Sequence, residues 1–357
     1  MSSHRFFVRD ALTVLSNMPS ESVECVITSP PYMGLRDYGV PGQIGLEKSI
    51  DEYVDTMVRV FGQVRRVLTN SGTCWLNLGD SYARDAGASF RAYGMHARGS
   101  NPKVTGRNGR IPSVKRKDLM GIPWSVALAL RADGWLLRQD IVWHKPNPLP
   151  ESVRDRPTRS HEYVFMLTKS EHYWYDAVSG REPSVSFLVD KRYGPGASGR
   201  DRSSEAWNLH APYKPHKGFQ SLDCSAGRNA RSVWTIPTAH FPGPHFAVFP
   251  EQLAERCLLL GCPPLVCDAC GTPYVRTHQP ESFAPVCHCG GKGRTGTVLD
   301  PFGGSGTTTY VAMRHNRDSI YIDINPTNAN IALNRCGFAG PRLVDCHEFE
   351  VCGGSNL

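Results

Sequence analysis

Asp300-Pro301-Phe302-Gly303-Gly304-Ser305-Gly306-Thr307-Thr308 separates a short β-branched run, residues 297–299, from a stretch with helical spacing, residues 307–315. A second apolar run follows at 319–322, and a helix is predicted from Thr327. Strand, glycine-rich turn, helix and strand spell a βαβ unit. Parallel neighbours need such a crossover, so this stretch sets the class as α/β, a mostly parallel sheet with helices on both faces. The glycines let the backbone approach a ligand closely and present amides at a helix start. Asp323 closes the second strand 19 residues after Gly304, where a carboxylate accepts hydrogen bonds from ribose hydroxyls. No Gly-Lys-Ser/Thr follows the glycines, which argues against a phosphate-loop nucleotidase, and Thr309 stands where a dinucleotide fingerprint needs its third glycine. An adenosine site fits what is left.

Working outward, the same alternation recurs. Residues 6–9 predict a strand, and Ala11, Val14, Leu15 and Met18 have helical spacing from Asp10 onward. A buried strand over 23–27 runs into Thr28-Ser29-Pro30-Pro31-Tyr32. Ser49 and Glu52 form a capping box for a helix whose core face is Val54, Met57, Val58, Phe61, Val64 and Leu68. Strands over 73–78, 135–143 and 163–168 and helices over 123–132 and 250–260 complete the pattern. Residues 184–231 carry neither period, and the tail 337–357 is weakly patterned.

The 357 residues carry a net charge of +7, are 40% hydrophobic and 20% charged, and show no repeat of solenoid length. No apolar run approaches the roughly 20 residues that span a bilayer, and the first ten residues lack a signal-peptide core, so no membrane partner and a cytoplasmic location are expected. The charge is unevenly spread. Residues 84–117 hold nine Lys/Arg against one acid, and residues 181–231 hold nine against five. Two basic, irregular segments over a mildly acidic remainder suit a polyanion that sheds counterions on docking.

Thr28-Ser29-Pro30-Pro31-Tyr32 is the most informative string. Two prolines lack N–H groups and restrict the backbone, so nearby carbonyls can point outward in a fixed array. Ser29 and the Pro30 carbonyl can accept hydrogen bonds from an amino group, and Tyr32 offers a plane on which a base can stack. Together with the turn at Asp300, this string resembles the S-adenosylmethionine-dependent DNA methyltransferases of exocyclic amino groups, whose signature is Asp/Asn/Ser-Pro-Pro-Tyr/Phe. Ser in the first position is similar to the cytosine N4 enzymes and Asp to the adenine N6 enzymes, so the resemblance implies methyl transfer to cytosine N4, with adenine N6 as the alternative within the class. Gly121-Ile122-Pro123-Trp124, Asp133-Gly134-Trp135, Trp143-His144-Lys145-Pro146-Asn147, residues 156–163 and residues 245–250 resemble the same family, over roughly 4–182 and 232–335. The order of motifs, catalytic first and cofactor last, matches its permuted β class.

The resemblance implies a Rossmann-like, circularly permuted methyltransferase fold. Residues 1–183 form its catalytic half with the basic loop 84–117, 184–231 its target-recognition region, and 232–357 its cofactor half. It also implies roles. Ser29, Pro30, Pro31 and Tyr32 are catalytic. S-adenosyl-L-methionine is held by Thr28, Asp300, Phe302, Gly303, Gly304, Ser305, Gly306 and Thr307, with Asp323 on the ribose, Asp10 towards the adenine, and His245 and Phe249 near the methionine end. Double-stranded DNA is the partner, a cognate restriction endonuclease accompanies such enzymes in paired systems, and oligomeric state is not readable. A carbon-5 cytosine methylase is excluded, since none of the 12 cysteines follows a proline. A zinc-containing DNA-binding protein that has lost catalysis is the alternative outside the enzyme class.

Cysteine usage without a secretion signal points to thiols and metal ligands. Cys267-x-x-Cys270 and Cys287-x-Cys289 lie 16 residues apart within an insert over 262–293, with Gly271 and Gly290 just after each pair. Two thiolate pairs on tight knuckles close a structural Zn²⁺ site. Cys262, His278 and His288 are substitute ligands on sequence grounds, and the knuckle is expected to brace a loop or touch DNA. His144 and His161 read as hydrogen-bonded histidines at strand ends rather than as bases, and Trp124, Trp135, Trp143 and Trp174 as core aromatics.

Overall fold

The computed structural model describes residues 2–35, 37–83, 114–182, 227–239, 249–277 and 282–338, together with the backbone of 348–352. Residues 84–113 of the basic loop, residue 183, residues 184–226 of the recognition region, His278 and the 240–248 stretch containing His245 lie outside the described residues. The chain divides into a main unit, Met1–Asp176 with Arg231–Leu357, and a smaller one, Ala177–Ala230. In the smaller unit, Glu182 and Arg228 form an antiparallel bridge and an ion pair at 3.5 Å.

The strands of the main unit's large sheet are β1 (Ser3–Val8), β2 (Val23–Thr28), β3 (Leu68–Leu78), β4 (Leu136–His144), β5 (His161–Thr168), β6 (Val233–Thr235), β11 (Thr297–Asp300), β12 (Asp318–Asp323) and β13 (Glu348–Cys352). Between them lie the short β7 (Leu265–Cys267), β8 (Val275–Arg276), β9 (Phe283–Ala284) and β10 (Gly293–Thr295), which pair as β7 with β10 and β8 with β9. The large sheet has the order β13-β1-β12-β11-β2-β3-β5-β4-β6. From β1 to β3 every pairing is parallel, and β5 runs antiparallel between β3 and β4. The expected α/β class with a mostly parallel sheet holds. The late strands β11 and β12 enter the sheet between β1 and β2, a placement that the linear sequence leaves open.

Helices α1 (Ala11–Asn17), α2 (Ile50–Val67) and α3 (Ile122–Ala132) cover one face, and α4 (Glu251–Gly261), α5 (Thr307–Arg314) and α6 (Pro326–Arg335) the other. The two-residue period of the strands builds both cores. On β3, Cys74, Leu76 and Leu78 join the α1–α3 layer, while Trp75 packs with Leu253, Cys257 and Trp234 on the other side. Ser49 caps α2 by accepting from the Glu52 amide at 3.1 Å, and Glu52 reaches back to the Lys48 amide at 2.9 Å. Tyr53, Met57, Val60, Phe61 and Val64 are then fully buried, each stabilising by about 1.5–3 kcal/mol. Three sequence expectations change. On α2, Met57, Phe61 and Val64 are core as read, but Tyr53 and Val60 are buried where Val54 and Val58 are half-buried, and Leu68 opens β3 instead of continuing the helix. The tail contributes β13, antiparallel to β1, and Trp124 is 36% exposed, in T-shaped contact with Tyr163 and Phe165. Trp135 and Trp143 are buried as expected. Among the described residues, no helix is long and apolar enough to cross a membrane.

Candidate active site

Parallel pairing puts the carboxyl ends of β1, β12, β11, β2 and β3 on one edge, where Val8 aligns with Asp323 and Thr28 with Leu76. Both signature strings leave the sheet there, on adjacent strands. The Thr28 hydroxyl donates to Asp300 Oδ1 at 2.7 Å, joining the diproline turn to the glycine turn. Asp300 also accepts from the Thr308 hydroxyl at 2.8 Å and the Phe302 amide at 3.1 Å.

Burial raises the Asp300 carboxyl to about 6, against its three hydrogen-bond donors. Because the folded value lies above the unfolded one, ionisation favours the unfolded chain. The contribution of Asp300 is therefore intact below about pH 4 and lost as the pH climbs through about 6, by an amount on the order of 2–3 kcal/mol. Asp300→Asn is expected to flatten that part of the stability profile, measured by urea unfolding at stepped pH. An unchanged slope between pH 4 and 6.5 would contradict the assignment.

In the glycine turn, Gly303 lies so close to the Tyr321 ring that a Cβ would overlap it. Gly306 caps α5 at φ +76°, a conformation that side chains disfavour. Asp323, 9% exposed, accepts from the Gly304 amide at 2.8 Å and the Asn325 amide at 2.7 Å and meets Asn328. Burial raises its carboxyl above the usual range. Ser305 and Thr307 turn their hydroxyls to Arg335, which donates to them at 3.2 and 2.9 Å. Phe302 is half-buried beside the α1–α3 core. Asp10, just past β1, caps α1 through the Thr13 amide at 2.9 Å. Phe249 lines a small hollow with Thr28, Trp75, Asn77 and Leu253, which brings it to the diproline turn.

The diproline turn is held from below. Tyr53 donates to the Pro31 carbonyl at 2.9 Å, whereas no donor among the described residues bonds to the Pro30 carbonyl. The half-buried Tyr32 ring lies over Gly79, where a Cβ would come within 2.6 Å of it. Its hydroxyl lies 2.8 Å from Glu162 Oε2 and 3.2 Å from both Asn77 Oδ1 and Ser29 Oγ. Glu162 pairs with Lys145, whose ammonium sits 4.3 Å from the Trp143 ring centroid. Burial and the Glu162 charge push the Tyr32 phenol well above its usual range, so it stays protonated. Asn77, Gly79, Lys145 and Glu162 are the residues that sequence reading passed over. Lys145 and Glu162 lie inside family-like strings, but only the pairing of β5 with β3 carries Glu162 across to Tyr32.

His144 meets Thr235 Oγ1 at 3.2 Å, and burial lowers the imidazole of His161 below its ordinary value. Both occupy strand ends, as read from the sequence.

The sulfur atoms of Cys267, Cys270, Cys287 and Cys289 lie within 4.8 Å of one another. Cys289 is 3.2, 3.5 and 3.6 Å from Cys267, Cys270 and Cys287. A tetrahedral ion with ~2.3 Å bonds sets sulfurs about 3.8 Å apart, so the set fits a thiophilic cation. Gly271 at φ +70° and Gly290 at φ +75° make the knuckles. Cys262 is buried elsewhere and His288 is not in the cluster, so neither is a substitute ligand. The knuckle hangs from the amino end of β11, on the edge opposite the diproline turn, which favours bracing over DNA contact. Its exit residue Arg294 pairs at 2.7 Å with Glu24 on β2, and Arg276 pairs with Asp176.

A family profile described as DNA methylase, for N6 and N4 methyltransferases, matches residues 23–334. The chain is 39% identical over 330 residues to the Type II methyltransferase M.Cfr9I of Citrobacter freundii, covering 92% of this chain and 86% of that one. With the Type II methyltransferase M.SmaI of Serratia marcescens it shares 38% over 341 residues, covering 94% and 91%. Among solved structures, the cytosine-N4-specific PvuII DNA methyltransferase matches with a TM-score of 0.54 at 17% identity, covering 94% of this chain and 86% of that one. A candidate DNA modification methylase of Thermus thermophilus, solved with S-adenosyl-L-methionine, matches with a TM-score of 0.50 at 22% identity, covering 94% and 93%. At these identities the structural likeness is one of fold.

Proposed function

The chain belongs to the DNA methylase family of N6 and N4 amino-methyltransferases, and from that premise we propose that it methylates the exocyclic N4 of cytosine, using S-adenosyl-L-methionine as donor, in a fold of the permuted β class. The observation that carries this reading is the shared edge: a glycine turn suited to an adenosine ligand, bonded through Asp300 and Thr28 to a turn that presents acceptors for an amino group. Asp300, Phe302, Gly303, Gly304, Ser305, Gly306 and Thr307 would hold the cofactor, Asp323 and Asp10 its nucleoside part, and Phe249 with Thr28 its methionine end. When bound, that cofactor supplies a sulfonium-activated methyl group.

The remaining work falls to the chain. A base amino group lies inside the stack, so the nucleotide must be flipped out to reach the edge. Its lone pair is delocalised into the ring. Hydrogen bonds to Ser29 Oγ and the Pro30 carbonyl take up both amino hydrogens and favour a pyramidal nitrogen, whose lone pair then faces the methyl. Tyr32 supports the plane of the base. Ser29, where the adenine enzymes have Asp, supports cytosine. Zn²⁺ on Cys267, Cys270, Cys287 and Cys289 is structural in this reading. A cognate endonuclease of a type II system is its natural partner.

Nucleoside mass spectrometry of DNA from cells expressing the protein is expected to show N4-methylcytosine above the background of cells carrying Ser29→Ala. N6-methyladenine alone would replace the cytosine reading with the adenine one, and neither product would remove both.

A further inference from the structure

Tyr32 and its neighbours form a chain in which every donor can be counted. Glu162 faces the Lys145 ammonium through Oε1 and the Tyr32 hydroxyl through Oε2. A carboxylate paired in this way is an acceptor only. Tyr32 therefore gives its single proton to Glu162, at 2.8 Å, or to Asn77 Oδ1, at 3.2 Å. Asn77 cannot supply one in return, since its amide donates to Glu162 Oε2 at 3.2 Å and to the Tyr163 carbonyl at 3.1 Å. Whichever acceptor takes the Tyr32 proton, none is left for Ser29. The 3.2 Å contact between Ser29 Oγ and the Tyr32 hydroxyl then has a single polarity, with Ser29 donating. Its hydrogen committed, Ser29 offers the cleft only lone pairs.

We propose that Glu162, fixed by Lys145, is a positioning residue that acts through Tyr32 to lock Ser29 as an acceptor towards the target amino group. The inference rests on the methyl-transfer reading but not on which base is methylated. An amino group that donates to Ser29 keeps its lone pair for the methyl. A Ser29 that donated into the nitrogen would occupy the electrons that must attack, so the direction of this chain decides whether the hydroxyl helps or hinders.

Glu162→Gln keeps the shape and changes the direction. Lys145 attracts the amide oxygen, which turns the amide nitrogen towards Tyr32. Asn77 must flip to accommodate it, the Tyr32 proton swings to Ser29, and the Ser29 proton swings into the cleft. We expect kcat to fall tenfold or more, with KM for S-adenosyl-L-methionine within twofold. Adding Lys145→Met frees the introduced glutamine amide to reverse, and at least threefold of the loss should return. In a Tyr32→Phe background the chain is already cut, so Glu162→Gln should change kcat by less than twofold.

Wild-type methylation of DNA, measured alongside, separates the two possible failures. A wild type that methylates nothing overturns the methyl-transfer reading and this inference with it. An active wild type overturns the positioning role alone if Glu162→Gln matches it, if Lys145→Met restores nothing, or if the loss persists beside Tyr32→Phe.

Discussion

Ser29→Ala is expected to lower methyl transfer by about 10²–10³-fold while leaving cofactor affinity within about twofold. The magnitude is that of losing one preorganised hydrogen-bonding group from a water-poor reaction site. In the proposed mechanism Ser29 and the Pro30 carbonyl are the two acceptors for the amino group, and the alanine variant would leave one amino hydrogen unheld, so that the nitrogen relaxes towards its planar, unreactive form. Affinity should survive because the glycine turn is organised without Ser29. Asp300 is held by Thr28, Thr308 and the Phe302 amide, and Asp323 by Gly304 and Asn325. Single-turnover kinetics with labelled cofactor, together with calorimetric titration of the cofactor, check both halves. Turnover within twofold of wild type would remove Ser29 from the chemistry. A parallel collapse of affinity would mean that the two turns are not separable.

The second large effect concerns the metal. Elemental analysis of protein purified without chelators is expected to give one zinc per chain, and Cys289→Ser, which removes the sulfur nearest the other three, to lose it. Metal binding of this kind supplies roughly 10–16 kcal/mol in isolated zinc-finger peptides, comparable to the whole net stability of a domain. The knuckle has little apolar core of its own, with Val275 and Val286 exposed, so it should unfold without the ion. The damage reaches the sheet through Glu24. That carboxylate is 1% exposed and accepts from Arg294 and from the Thr297 amide at 2.7 Å. Loss of Arg294 leaves a buried charge half-paired, which costs about 3–5 kcal/mol, a fall in thermal midpoint of roughly 5 °C for a chain of this length. Methyl transfer by the surviving folded fraction should be retained, because the knuckle sits at the opposite edge. Zinc-free protein with four reduced thiols and an unchanged midpoint would contradict the assignment.

The predicted elements that matched best are those whose signal is local. The capping box at Ser49, the amphipathic face of α2 and the strand–turn–helix around Asp300 each need only a few neighbours to be recognised, because backbone hydrogen bonding and side-chain period are properties of short segments. The four cysteines were legible for the same reason, since metal geometry constrains spacing. The unread tail was not: β13 is specified by the free edge of β1, and its own residues carry little pattern. Asp300 shows a finer limit. Sequence places it beside a ligand, while the fold makes it the bond between two turns, raised by burial and bridged by Thr28.

By itself the sequence determined the α/β class, the two signature turns, the thiol set and the family to which they belong, since each is written within a few dozen consecutive residues. Only the tertiary structure decided that β11 lies beside β2, so that Asp300 meets Thr28, and that β5 crosses back beside β3, so that Glu162 meets Tyr32. Residues 272 and 130 positions apart become hydrogen-bond partners there. Strand order is set by which faces bury together and which edges pair. That is a property of the whole packed sheet, and no local window contains it.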